Sequence, residues 1–386
     1  MNSRNLTLTW FLISSILVAC GTNSGSTTST PSPCSVAAAS PAESAASAEA
    51  AGAPGLWSFD GSTWTWLANE PPPGPRVLNV GMDVEGGIAY DPGASRLVEV
   101  NETGTHVWDG QTWIDVNPGA GPSPRLGAEL AYDNARHEVV LFGGRDFRSN
   151  GTYLNDTWVW DGRRWVLAAR GLTYEELQQT PDASPDFGFE AANIVWDDAR
   201  HIVLLFSAYR DPASGKIDSA TWEWNGSDWH QVVPSASPPT RFGAVMAFDG
   251  AHNNAVLFGG FDVSPSVDFN DTWTWDGTTW VERWPAHIPA TTTTPNGLPG
   301  PYAGAAGGSA MAYDPSRKVV VLVTPDAARI KTWTWDGSDW TQLKTSGGPR
   351  AYAHVSMTYD THSHRILLVA FADPVPYYGP CFGGLP

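Results

Sequence analysis

The side chains with chemical reach fall into a few groups. Arg145, Asp146 and Arg148, then Tyr209, Arg210 and Asp211, then Phe261, Asp262, Asp268 and Phe269, set aromatic rings beside carboxylates and guanidiniums. Rings that stack and charges that orient suit a sugar or a peptide. Arg76, Arg125, Arg241 and Arg350 each follow a proline directly or one residue later. Four such arginines either ring a binding site for an anion or bridge neighbouring units of the fold through carbonyls and carboxylates; the bridging role is the expectation. Asp262, Asp268 and Asp271 are the one calcium candidate, in a chain whose acidic loops are common anyway. Of nine histidines, His137, His201, His252, His362 and His364 lie in short polar turns, and His354 has no histidine partner for a metal. No catalytic residue, metal or cofactor is expected from these patterns.

Lys and Arg number 22 against 40 Asp and Glu, a net charge of −18, which argues against a nucleic-acid partner because that affinity rests on clustered cations. The elements that must position the candidates come from a repeat. Thr157-Trp158-Val159-Trp160-Asp161-Gly162 is followed by Trp165, and recurs at Thr221 to Gly226 with Trp229, Thr272 to Gly277 with Trp280, and Thr332 to Gly337 with Trp340. Weaker copies run from Thr105 to Gly110 with Trp113 and from Leu56 to Gly61 with Trp64, and 16 of the 20 tryptophans fall in these six units. Each reads as a hairpin in which Asp-Gly or Asn-Gly supplies a two-residue turn of positive φ.

A second unit alternates with the first. Arg125 to Asp133, a polar turn, and Val139 to Gly144 form its clearest copy, and the others end their first strand at Asp91, Asp197, Asp249, Asp314 and Asp360. Continuous apolar runs such as Val203 to Phe206 predict second strands buried on both faces. Four strands per repeat and six repeats predict an all-β, six-bladed β-propeller. The chain begins with a third-and-fourth-strand unit and ends with a first-and-second-strand unit, so N-terminal strands are expected to close the C-terminal blade and leave no free sheet edge.

Phe142-Gly143-Gly144 followed by Trp158 and Trp165, and Phe258-Gly259-Gly260 followed by Trp273 and Trp280, resemble the Kelch family and the central propeller of galactose-oxidase-like proteins. The other four repeats keep the tryptophans and lose the diglycine. The resemblance covers residues 56–372 and implies the propeller, not the copper radical chemistry of galactose oxidase. That chemistry uses a Tyr-Cys crosslink and a Tyr-His pair, and the propeller here has no cysteine and no Tyr-His dipeptide.

Residues 1–19 read as a signal peptide, cationic and then apolar. Leu17-Val18-Ala19-Cys20 resembles the bacterial lipobox, which implies a lipid on Cys20; a plain secretory signal is the alternative. Residues 20–55 are a Ser-, Ala- and Pro-rich tether and 373–386 a C-terminal tail. Cys34 and Cys381 either form a disulfide or remain free thiols. Loop length decides where binding is expected. Steps from each turn Asp or Asn to the next first-strand Asp are 31, 24, 36, 24, 38 and 24, and the longest second-to-third connections, on blades two to four, share that face. The chain therefore reads as a monomeric, extracytoplasmic binding or scaffolding module, lipid-anchored in the cell envelope, with an unknown protein or glycan partner on that face and no membrane contact but the lipid. The alternative is a glycan-active lyase or hydrolase using a loop-face carboxylate and tyrosine.

Overall fold

The structure is a computed structural model that describes residues 52–69, 87–116, 121–146, 152–172, 176, 192–210, 217–263, 266–290, 308–326, 329–350 and 355–371. The strands run β1 (Gly55–Phe59) and β2 (Thr63–Ala68), then blade one, β3 (Gly87–Asp91), β4 (Arg96–Asn101), β5 (Gly104–Trp108) and β6 (Trp113–Val116). Blade two holds β7 (Glu129–Asp133), β8 (Glu138–Phe142), a side hairpin of β9 (Arg145–Asp146) and β10 (Thr152–Tyr153), then β11 (Thr157–Trp160) and β12 (Trp165–Ala169). Blade three is β13 (Ala192–Asp197), β14 (Ile202–Arg210), β15 (Ile217–Trp224) and β16 (Trp229–Val232). Blade four is β17 (Val245–Asp249), β18 (Asn254–Phe258), a side hairpin of β19 (Phe261–Val263) and β20 (Ser266–Asp268), then β21 (Thr272–Trp275) and β22 (Trp280–Arg283). Blade five is β23 (Ala310–Asp314), β24 (Val319–Pro325), β25 (Ile330–Trp335) and β26 (Trp340–Gln342), and the chain continues through β27 (Ser346–Gly347), β28 (Val355–Asp360) and β29 (Arg365–Ala370).

These sheets form the six-bladed, all-β propeller that the repeat predicts. The sixth blade has the order β27-β2-β1-β29-β28, with β1 antiparallel to β29 and the short β27 parallel to β2 at its outer edge, so both ends of the ring contribute strands to one sheet. Second strands are buried on both faces, as their apolar runs require; Val139, Val140, Leu141 and Phe142 are all at 0% exposure.

The repeated threonine and tryptophan account for each other. The fourth-strand indole N–H of one blade donates to the hydroxyl of the threonine in the third-strand motif of the blade before it. Trp165 reaches Thr105 at 2.9 Å, Trp229 reaches Thr157 at 2.8 Å, Trp280 reaches Thr221 at 2.9 Å, Trp340 reaches Thr272 at 2.9 Å, and Trp64 reaches Thr332 at 3.0 Å across the closure. Each such indole also lies against the aromatic that ends its own third strand, as in Trp224–Trp229 at 5.4 Å. Between blades two and five it also meets a second-strand Phe of the preceding blade, as in Phe206–Trp280 at 5.3 Å. The sixth junction differs: the threonine position is Leu56, and Trp113 donates instead to the carbonyl of Asn69.

The turns depart from the expected chemistry. Gly162 has φ 87°, but Asp161 and Arg163 are not among the residues of positive φ. Positive φ at the first central residue alone is the mark of a type II′ turn, so Gly162-Arg163 is the central pair and Asp161 flanks it. The Asp161 carboxylate then accepts the amides of Arg163 and Arg164, both at 2.9 Å. Asp60, Asp109, Asn225, Asp276 and Asp336 do the same in the other blades. The aspartate is selected by its side-chain acceptor, in place of its tolerance of left-handed backbone.

Four first-to-second-strand turns reach the next blade. Arg136 donates to Asp133 at 2.6 Å and to the Asn225 carbonyl; Arg200 bridges Asp197 and the Asp276 carbonyl; Arg317 bridges Asp314 and the Asp60 carbonyl. His252 pairs with Asp249 at 2.8 Å and lies over Gly337, where a side chain would collide with its ring. Blade one has Ala94 and the closing blade Ser363 at this position.

Two outcomes follow from these contacts. Thr221→Val should cost about 1–3 kcal/mol in urea denaturation, because the Trp280 N–H is left buried without an acceptor, whereas Thr221→Ser should cost less. Backbone amides, first those of Thr63, Thr112 and Asp339, hold the Asp60, Asp109 and Asp336 carboxyls below their ordinary value of 3.8. Groups depressed on folding stabilise above the unfolded pKa and lose that contribution as pH falls through the folded one. Melting temperature should therefore fall below about pH 4, and less so in the triple Asp→Asn variant, whose amide oxygens still accept but do not titrate.

Candidate functional site

Two blades carry the diglycine, and the same two carry the buried arginines. Arg125 donates to the Gly143 carbonyl at 2.8 Å and forms a fork on Asp156 at 2.6 and 3.1 Å. Arg241 repeats this on Gly259 and Asp271. Both are at 1% exposure, with their donors committed. Their guanidiniums tie the first, second and third strands of their own blade together, so the expected side-chain bridge to a neighbouring blade is corrected to one within a blade, and neither guanidinium is open to an anion. The Arg125 amide does cross, donating to the Asn101 carbonyl of blade one at 3.0 Å. Gly144 sits at φ 94° with the Leu126 carbonyl 2.8 Å from where a Cβ would stand, which only glycine allows. That close approach lets β9 leave the blade and bond back to the start of its first strand, Leu126 opposite Arg145 and, in blade four, Phe242 opposite Phe261.

The long second-to-third connections are hairpins, set off by the diglycine in blades two and four and continuous with the sheet in blade three. In blade two Thr152 pairs with Asp146 and Tyr153 with Arg145, whose guanidinium lies 5.2 Å over the Tyr153 ring. In blade three β14 and β15 continue beyond the sheet with Tyr209 opposite Asp218 and Arg210 opposite Ile217. In blade four Phe261 pairs with Asp268, and Phe269 lies 4.2 Å beneath the Arg241 guanidinium. Three consecutive blades thus raise three hairpins on one face, and Arg145, Asp146, Tyr209, Arg210, Phe261, Asp262 and Phe269 lie on them or at their base. Asp146 and Phe261 are both at 8% exposure and secure the hairpins more than they face solvent. Arg148, Asp211, Arg76 and His354 lie outside the described residues, as do Cys20, Cys34, Cys381, the tether before residue 52 and the tail.

The calcium trio does not converge. Asp262 pairs with Val267 and Asp268 with Phe261, which puts the two carboxylates on opposite faces of the ribbon, and Asp271 is held by Arg241. Among the described residues no group of three or more His, Cys, Asp or Glu is placed to hold a metal ion.

Two positions were missed in the sequence. The cross-strand pair that is Leu opposite Trp in five blades, as in Leu205 and Trp222, is Glu99 opposite His106 in blade one. Both are buried. His106 sets Nδ1 2.8 Å from Asp115 and Nε2 2.6 Å from the Thr103 hydroxyl, and burial lowers its pKa against the pull of Asp115. The second is Glu129, on the innermost strand of blade two. It is half-buried, and burial, the one cause acting on it, pushes its pKa up to about 8. Aligning the repeats column by column would have exposed both, since each puts a charge where its counterparts are uncharged.

No protein-family model matches the chain.

A carboxyl whose pKa is raised on folding opposes folding increasingly as pH climbs from the unfolded value, 4.5, to the folded one. Glu129→Gln should thus melt close to the parent at pH 4.5 and above it at pH 8, by up to a few degrees; a difference independent of pH would contradict the placement of this carboxyl.

Proposed function

We propose that this chain is a Kelch-like, lipid-anchored binding module of the bacterial cell envelope, and that its contact surface is the long-loop face of blades two to four. The observation that carries the reading is the trio of hairpins on consecutive blades of one face. Elsewhere the connections between these strands are short, as at Asn101 to Gly104 in blade one. A closed ring is a stiff support, and loops fixed to such a support are where binding residues concentrate. Rings and charges on the hairpins, Tyr153 with Arg145 and Asp262 and Asp268 beside Phe269, give a mixed surface suited to a peptide or a glycan. The lipobox-like Cys20 and the tether to residue 55 would hold that surface off the membrane.

The test is affinity capture from a native envelope fraction, run beside a glycan array, with the parent and with a Tyr153→Ala/Asp262→Ala double variant. Captured partner or glycan signal should fall at least tenfold in the variant while melting is unchanged. Equal capture by both would remove the binding surface from this face, and turnover of a bound glycan that the variant lacks would favour the lyase or hydrolase.

A further inference from the structure

The innermost strands bring one register of six residues around the propeller axis. Counting back four from the aspartate that ends each strand, they are Gly87, Glu129, Asn193, Val245, Ala310 and Ser356. Glu129, Asn193, Val245 and Ser356 keep partial solvent contact although they belong to the strands furthest from the outer surface. The innermost strands of a propeller line its central channel, and these residues stand toward its long-loop end. Two residues nearer that mouth, Gly127, Gly243 and Gly308 turn with positive φ and present no side chain. One residue deeper, Ile88, Leu130, Ile194, Met246, Met311 and Met357 belong to the apolar cores between blades and leave only a rim at 6–9% exposure as an apolar sill.

Glu129 is the one charged member of its register. It makes no hydrogen bond or ion pair with any described residue, and no cation offsets its burial. On the strands packed against it, β3, β8, β13 and β14 with its own β7, the titratable groups are Tyr90, Asp91, Tyr132, Asp133, Glu138 and Asp197 at the far ends beside the first-to-second-strand turns, and Tyr209 and Arg210 at the long-loop end of β14. A half-buried carboxyl without a partner costs stability that a hydrophobic residue would not. An incoming cation would supply the missing partner.

We propose that the mouth of the channel is a binding pit for an alkylammonium group, a free amine or a lysine side chain of a partner, with the ammonium on Glu129 and the methylenes over the Met and Ile sill. The inference rests on the long-loop face being the binding face. An anion is excluded by charge, and no set of metal ligands converges there among the described residues. An ammonium has three donors, and Asn193 and Ser356 place an amide oxygen and a hydroxyl in the same register as the carboxylate.

Because the carboxyl titrates at about 8, the cation must displace its proton at lower pH. The ionised fraction rises from roughly 1% at pH 6 to roughly half at pH 8, so affinity should rise on the order of 50-fold over that range while the ligand stays charged. The probes are n-butylamine and N-acetyl-lysine methylamide, with N-acetyl-norleucine methylamide as the uncharged control, titrated calorimetrically into the full chain at pH 6, 7 and 8. Binding of either amine with that slope, absent for the norleucine derivative and at least tenfold weaker and pH-independent in Glu129→Gln, supports the pit. Tighter binding of the lysine derivative than of butylamine assigns the source to a protein side chain. Glu129→Leu, matching the apolar neighbours, should melt no lower than the parent and should not bind. Absence of amine binding at pH 8, a flat pH profile, or equal binding by Glu129→Gln overturns the pit. If it fails while the Tyr153/Asp262 variant still loses its captured partner, the long-loop reading stands without it; if that variant also captures normally, the reading itself has failed.

Discussion

A hydrogen bond from a tryptophan indole to the threonine of the preceding blade is the constraint on which the ring depends. It satisfies two buried polar atoms at once, and it can form only if two blades stand at the right spacing and rotation. Five junctions carry it, including the one made by Trp64 and Thr332 at opposite ends of the propeller sequence. The indoles also fill the space between sheets, and burying such a ring contributes roughly 1.5–3 kcal/mol through apolar area alone. Packing supplies most of the energy, and the hydrogen bond supplies the register. The turn arginines add a second latch on the opposite face at three of these junctions, and His252 over Gly337 occupies the same place at a fourth.

The same logic marks where the ring is held differently. Between the closing blade and blade one the threonine is replaced by Leu56 and the turn cation by Ser363. The junction is made by the Tyr90 hydroxyl toward Asp360 and by Trp113 on the Asn69 carbonyl. Blade one is also the blade that buries Glu99 and His106 in place of a leucine and a tryptophan. Polar groups in this position are costly unless partnered, and Asn101 and Thr103 reach His106 at Nε2 while Asp115 lies beside Nδ1.

The fold was legible because its signals are local and repeated: a tryptophan and a threonine at fixed spacing, an Asp-Gly turn, a continuous apolar second strand. The split closing blade was legible too, since it follows from which half-repeats begin and end the chain. What escaped was chemistry that depends on a partner far away in sequence. Asp161 looked like a central turn residue because Asp-Gly is usually read so; its role as acceptor for the next two amides is visible only in three dimensions. Arg125 and Arg241 looked like bridges between blades, but Asp156 and Asp271, some 30 residues on, return to the same blade. For the candidate site, surplus loop length located the face, whereas the order of the loops on blades two and four came from the diglycine, whose close backbone approach no composition argument reveals. Glu129 was hidden by its ordinary setting, one carboxylate among 40 acidic residues.

Native-state hydrogen exchange, resolved by strand, tests most directly whether these cross-blade latches set the stability of the ring. Blades three to five, latched on both faces, should hold the slowest amides in β14, β18 and β24, all exchanging with one global free energy. The inner strands of blade one, β4 and β5, should open first, at a distinctly lower free energy. Equal protection of blade one and blades three to five would contradict the account, because the ring would then owe its stability to packing that ignores the threonine, the tryptophan and the turn cations.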